Sequence, residues 1–192
     1  AVIKNESGKV IYRDFGELLF THFGISGPTV LSASAHMRPM APGAFTVEID
    51  MKPALDEQTL DRRIMSDFEK YKNKDFANAL CDLLPAKMIP VIIARCGIPP
   101  SQKVNSVTKE QRRALLSALR HFRIEISGFR PIEEAIVTSG GVSTAEIEPS
   151  SMRSRLCLNL YFAGEVIDVD AYTGGFNLQI AFSTGFAAGS NV

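Results

Sequence analysis

The sequence predicts an α+β protein: a β-rich domain interrupted by a helical block and followed by a strand-loop-helix tail. Three observations predict it. Apolar residues recur with period two near the N-terminus and again after residue 121. Between those regions the period changes to that of a helix. Near the C-terminus an apolar stretch runs into an acidic loop, two adjacent glycines and a second apolar stretch. A helical excursion between two β segments is most simply an insertion into one β-rich domain. The boundaries expected are 1–53 and 122–145 for the β-rich domain, 54–121 for the insertion, and 146–192 for the tail.

Each element has its own signal. Val2-Ile3 and Val10-Ile11-Tyr12 flank Asn5-Glu6-Ser7-Gly8, which suits a hairpin turn. Gly24-Ile25-Ser26-Gly27-Pro28 is a turn that opens a short helix over 29–35. Phe45, Val47 and Ile49 alternate with Thr46 and Glu48, as in a half-buried strand. Leu60, Ile64, Phe68 and Tyr71 make one stripe of a helix starting near Asp56. Asp75 is expected to cap a second helix carrying Phe76, Leu80 and Leu83. Pro85 is expected to open a third, running to Gly97 and kinked at Pro90. Thr108 and Gln111 form a capping-box pair ahead of Leu115, Leu119 and Phe122. Phe122, Ile124 and Ile126 then make a strand, Ala135-Ile136-Val137-Thr138 another, and Leu160-Tyr161-Phe162-Ala163 a third. The last helix is expected from about Gly174, capped by Thr173.

Composition excludes several classes. Hydrophobic residues are 45% and charged residues 22% of the chain, near the globular average, so the chain is neither disordered nor fibrous. With 192 residues it can bury roughly 70% of its unfolded surface. The 21 basic and 21 acidic residues cancel, so bulk charge points to no polyanion or membrane surface. The apolar runs are too short to span a bilayer. Cys81, Cys96 and Cys157 are an odd number without CxxC spacing, which fits a reducing, cytoplasmic setting and neither a disulfide framework nor structural zinc. The first residues, Ala1-Val2-Ile3-Lys4, carry neither an initiator Met nor a signal pattern and read as the interior of a longer chain.

The tail holds the chemistry. Glu165, Asp168 and Asp170 lead to Thr173-Gly174-Gly175 at the head of a helix. Adjacent glycines admit a ligand close to the backbone, and exposed N–H groups with the helix dipole favour an electron-rich atom there. Ala181, Gly185 and Gly189 make a smooth face for close packing. Asp168 and Asp170 are not an EF-hand, because Thr173 and Gln179 stand where Gly and Glu are required. His22, His36 and His121 are scattered, with no metal-ligand spacing, and His22 reads as a structural residue. Ser26 lies outside any G-x-S-x-G elbow and shapes a turn.

Residues 164–189, GEVIDVDAYTGGFNLQIAFSTGFAAG, resemble the closing segment of the bacterial BaiN/YhiN-like FAD-dependent oxidoreductases. Two upstream segments agree in order: residues 16–28, GELLFTHFGISGP, and Thr138-Ser139-Gly140-Gly141-Val142 followed by Glu146-Ile147 and Ser151-Met152-Arg153-Ser154. The resemblance implies a three-part enzyme, a Rossmann-like FAD domain interrupted by a β-barrel-like domain that is itself interrupted by a helical one. In this chain the FAD domain would contribute only its C-terminal strand and helix.

Gly164 and Glu165 would lie along the ribityl and phosphate part of FAD, with Asp168 and Thr173 beside it. Gly174, Gly175, Phe176 and Asn177 would face the pyrimidine edge of the flavin, and Gly140 and Gly141 would approach the ring. NADH or NADPH would be the electron donor, a small organic molecule the substrate, and the hydride chemistry the cofactor's own. Ala171 stands where the family has Gly, Phe176 where it has Tyr, and Arg155 where it has Lys.

No G-x-G-x-x-G turn is present, so the partner implied is the missing N-terminal half of the FAD domain, without which FAD is held weakly. A different class of reading is a binding module for RNA or a protein. Residues 103–130 carry Lys103, Lys109, Arg112, Arg113, Arg120, Arg123 and Arg130 against Glu110 and Glu125. Nucleic acid is the weaker expectation, because no aromatic residues are interleaved there to stack bases.

Overall fold

The computed structural model describes residues 1–192. Strand β1 (Val2–Asn5) turns back through Gly8, at φ 77°, into β2 (Val10–Arg13). A small hairpin, β3 (Leu19–Phe20) and β4 (Ile25–Ser26), leads through Gly27 into helix α1 (Pro28–Ser34). A glycine is required at 27: its φ is 98°, and a Cβ there would stand 3.1 Å from both the Glu17 carbonyl and the Leu19 nitrogen. Strands β5 (Phe45–Ile49) and β6 (Phe122–Ile126) complete an antiparallel, barrel-type sheet of order β2-β1-β5-β6. Phe45, Val47 and Ile49 turn inward, as their spacing requires.

Between β5 and β6 lies the helical block. Helix α2 (Glu57–Lys70) starts where Asp56 accepts the Thr59 N–H at 2.7 Å. Helix α5 (Lys109–Arg120) carries the expected capping box, Thr108 and Gln111 bonding reciprocally.

Two expectations fail here. Helix α3 is only one turn, Phe76–Ala79, and the Asp75 carboxylate binds Lys103 at 2.7 Å instead of capping it. The N–H groups of Phe76 and Ala77 donate to the carbonyls of Gln102 and Pro100, so no cap is needed. Helix α4 (Ile89–Cys96) begins only at Ile89, with Pro90 in its first turn. Proline there sacrifices no helical bond and introduces no kink, so Pro90 opens the helix that it was expected to interrupt. Gly97 closes α4 in the left-handed region, at φ 68°.

The insertion shares its core with the sheet. Leu60, Ile64, Phe76, Leu80, Ile92, Leu115 and Leu119 join Ile3, Phe45, Val47, Ile49 and Phe122 in one buried cluster, with Ala33 and Met37 beside α1. No residue after Phe122 belongs to that cluster.

On the outer face of the sheet Glu48 ties three strands together. Its carboxylate meets Lys4 of β1 at 2.9 Å, Arg123 of β6 at 3.2 Å and His121 at 3.1 Å. The Lys4 ammonium above all, with His121 and Arg123, pulls the Glu48 carboxyl from the usual 4.5 down to about 2. Because the folded value is depressed, this contribution is complete above about pH 4.5 and is lost as pH falls towards 2. Discounted for the exposure of its partners, it is worth about 1–2 kcal/mol. Glu48→Gln is expected to remove that acid-dependent stability, read in urea melts between pH 6 and 2.

Residues 127–192 are built differently. The segment expected as strand 135–138 is an open loop after a single 3-10 turn, Ile132–Glu134, with Ile136 74% exposed. The segment expected as strand 160–163 makes only an isolated bridge, Tyr161 against Arg153. Neither stretch has a neighbouring strand in this chain to complete a ladder, and an apolar pattern alone does not hold a strand. Helix α6 (Phe176–Gly189) ends the fold. No helix is long and apolar enough to cross a membrane.

Candidate functional site

The glycine-rich segments of the tail come together. Val142 and Ile167 form a parallel bridge, with Val142 N–H on the Val166 carbonyl at 2.8 Å and Asp168 N–H on the Val142 carbonyl at 2.9 Å. Gly141, at φ 146°, makes this approach possible, because a Cβ there would collide with the Val166 carbonyl and lie 3.0 Å from the Asp168 nitrogen. The close backbone contact of Gly141 is therefore with the 166–168 turn of its own chain. Gly140, at φ 101°, faces open space.

Glu165 Oε1 accepts from the Thr138 N–H at 2.6 Å and from its hydroxyl at 2.7 Å. The hydroxyl first, and then the N–H, hold this carboxyl below its ordinary value. Glu165 is thus an anchor between the two loops. Gly164, at φ 73°, donates its N–H to Thr184 Oγ1 of α6 at 2.9 Å. Gly140, Gly141, Gly164 and Glu165 accordingly sit on one surface, with Asp168 exposed beside them.

The turn into α6 is braced by Asn177. Its side chain accepts from the Ala171 N–H and donates to the Ala171 carbonyl, both at 2.8 Å. Ala171 is not among the residues of positive φ, so alanine in place of glycine costs no strain. Gly174 (φ 124°) and Gly175 (φ 86°) follow, and Gly175, not Thr173, occupies the cap position. Thr173 stands two residues too early to cap. No side chain caps this helix, and its first internal bond runs from the Gln179 N–H to the Gly175 carbonyl. The donors at its start are consequently free. Thr173, Gly174, Gly175 and Phe176 are all exposed.

These features fit an electron-rich ring edge: uncapped helix donors, a positive dipole end and glycines that leave the approach open. The structure also places two residues here that sequence spacing could not. His36, just beyond α1, has its Nε2 2.7 Å from the Tyr172 hydroxyl. Arg38 reaches Asp170 at 3.6 Å. These pairs link segments more than 130 residues apart, so no local pattern announces them.

Helix α6 is mostly apolar, yet Phe176, Leu178, Phe182 and Phe186 are 59–78% exposed. Gly185 and Gly189, expected to serve close packing, meet nothing. Of the three residues of that face, only Ala181 is covered from within the chain, by Gly164.

A barrel-type sheet with a helical insertion, joined to a glycine turn that opens onto a largely uncovered helix, defines the class of the chain as α+β. The chain belongs to the HI0933-like family, whose barrel and H2TH domain matches residues 1–137. It is 33% identical, over all 192 residues, to a ribosomal RNA dihydrouridine synthase of Escherichia coli K12, covering 45% of that protein. It is 32% identical, over 93% of its own length, to the Haemophilus influenzae protein of the same name, covering 42% of it. A 3-dehydro-bile acid delta(4,6)-reductase of Clostridium scindens is 29% identical over 94% of the chain, which covers 45% of that enzyme. The chain thus spans less than half the length of these relatives.

Proposed function

We propose that the chain is the barrel, helical insertion and cofactor-facing tail of an FAD-dependent reductase that saturates a carbon–carbon double bond. The observation that carries this reading is the free-donor turn Thr173-Gly174-Gly175-Phe176-Asn177, in a chain whose matched relatives are named as dihydrouridine synthases and a delta(4,6)-reductase. Dihydrouridine is uridine with one ring double bond saturated, and a delta(4,6)-reductase is named for the same kind of change. The three ordered motif segments support the finer likeness to the BaiN/YhiN-like flavoproteins. FAD would be held by Gly140, Gly164 and the 173–177 turn, with Glu165 and Gly141 shaping the loops and Asp168 at the edge. When bound, it supplies hydride chemistry, replenished by NADH or NADPH. The uncovered face of α6 is where the remaining half of the FAD domain would pack.

Two substrate classes follow from the relatives, a uridine within RNA and a free small molecule, and we favour the small molecule. Five of the seven cations in 103–130 are committed to carboxylates: Lys103 to Asp75, Arg112 to Asp61, Arg120 to Asp50, Arg123 to Glu48 and Arg130 to Glu134. Lys109 and Arg113 remain for phosphates. RNA held by two cations has a salt slope below about 2.

The test is the visible spectrum of the full-length protein purified with FAD, beside the 192-residue chain. A yellow full-length protein that consumes reduced nicotinamide, with a colourless chain, is the expected result. A colourless full-length protein overturns the reading. An RNA salt slope of five or more, lost in Arg112→Ala/Arg113→Ala, would put RNA first.

A further inference from the structure

Beside the 173–177 turn lies an open, shallow cavity of about 510 Å³. Its walls are the end of α1, with His36 and Arg38, and the loop carrying Asp170, Tyr172 and Phe176. The His36 ring lies between two tyrosines. Tyr12 stacks on it at 4.9 Å and 24°, and the Tyr172 hydroxyl bonds its Nε2 at 2.7 Å. Tyr12 is itself tied to Asp14 at 3.3 Å, and burial, followed by Asp14, raises its pKa and keeps it a neutral phenol. Arg38 and Asp170 neutralise each other at the rim.

We propose that this cavity binds the conjugated carbonyl group of the substrate, that the Tyr172 hydroxyl donates the proton of the reduction, and that His36 positions and reprotonates Tyr172. The proposal rests on the reductase reading above. A carbon–carbon double bond accepts hydride only when conjugation to a group such as a carbonyl polarises it. Saturation then adds a hydride at one carbon and a proton at the other. A bound, reduced flavin would supply the hydride with both electrons and be oxidised, and the proton would come from solvent by way of this pair.

Tyrosine alone is a weak acid near neutrality, because its ordinary pKa is about 10. The 2.7 Å contact changes what the hydroxyl can do. With the imidazole neutral, the phenol proton is spent on Nε2. With the imidazole protonated, Nε2–H donates to the phenol oxygen, and the phenol proton is released to point into the cavity. The groups facing that ring are Tyr12, Tyr172, the Arg38–Asp170 pair and, through Tyr12, Asp14.

Two measurements test this. In the 192-residue chain, the His36 ring signals in ¹H–¹³C NMR are expected to move on Tyr172→Phe. They are also expected to respond to millimolar 2-cyclohexen-1-one in the wild type but not in the variant. In the full-length protein carrying FAD, Tyr172→Phe is expected to leave the flavin spectrum and its reduction by nicotinamide unchanged. Reoxidation by 2-cyclohexen-1-one or by uridine, whichever is the faster, slows on the order of 100-fold. His36→Gln, which keeps a hydrogen-bonding partner, retains part of that rate, whereas His36→Ala does not. Signals of His36 blind to Tyr172→Phe, or reoxidation unchanged in that variant, overturn the proposal while FAD uptake leaves the reductase reading standing. A full-length protein that takes up no FAD overturns both.

Discussion

Replacing Gly141 with alanine is expected to separate the 138–142 loop from the 166–168 turn and to weaken FAD binding by the full-length protein on the order of 100-fold. Two costs coincide at this position. The φ of 146° lies outside the range that a side chain tolerates, and the new Cβ would collide with the Val166 carbonyl. Each is worth about 1–3 kcal/mol, so one of the two backbones must move. Moving either breaks the bonds of Val142 and Asp168, and with them the registration of Thr138 on Glu165. Because the main buried cluster includes no residue after Phe122, the barrel and helical block should melt as before. Hydrogen exchange reads the difference directly: the amides of Val142 and Asp168 lose protection, whereas those of β5 and α5 keep theirs. Protection retained at 142 and 168, with FAD binding intact, would falsify this account of Gly141.

The second large effect is expected at Asn177. Asn177→Ala removes two 2.8 Å bonds to the Ala171 main chain, each worth about 1 kcal/mol. Helix α6 itself should survive, because Asn177 is not its cap. What is lost is the fixed angle at which Gly174 and Gly175 present the helix donors. FAD affinity of the full-length protein is therefore expected to fall about 30-fold, read by titrating the apoprotein with FAD. Asn177→Asp keeps the acceptor for the Ala171 N–H and loses only the bond to its carbonyl, so it should fall between the two. An alanine variant that binds FAD as tightly as the wild type would remove Asn177 from the site.

Helix caps and strand periods were legible in the sequence because their causes are local. Asp56, Thr108 with Gln111, and the alternation in 45–49 and 122–126 act over three or four residues. The same reasoning misjudged Asp75 and Pro90. Asp75 finds Lys103, and the N–H groups beside it find the 100–102 carbonyls, partners that only the folded chain supplies. Proline is read as a breaker or as an opener according to where the helix begins, and packing decides that.

The strands expected at 135–138 and 160–163 failed for a related reason. Apolar residues there have a pattern but no neighbouring strand in this chain. The basic run of 103–130 looked like a patch until the fold set a carboxylate against five of its seven cations.

At the candidate site the division is the same. The sequence by itself determined the α+β class, the helical insertion between two β segments and the glycines of the turn. A glycine at positive φ, like a cap, leaves a trace in its own position. The tertiary structure alone decided that Gly141 meets the chain's own 166–168 turn, that Glu165 is an anchor, and that His36 meets Tyr172 across 136 residues of sequence. Contacts of that kind depend on how distant segments are brought together in the folded chain, and no short window of residue types encodes them.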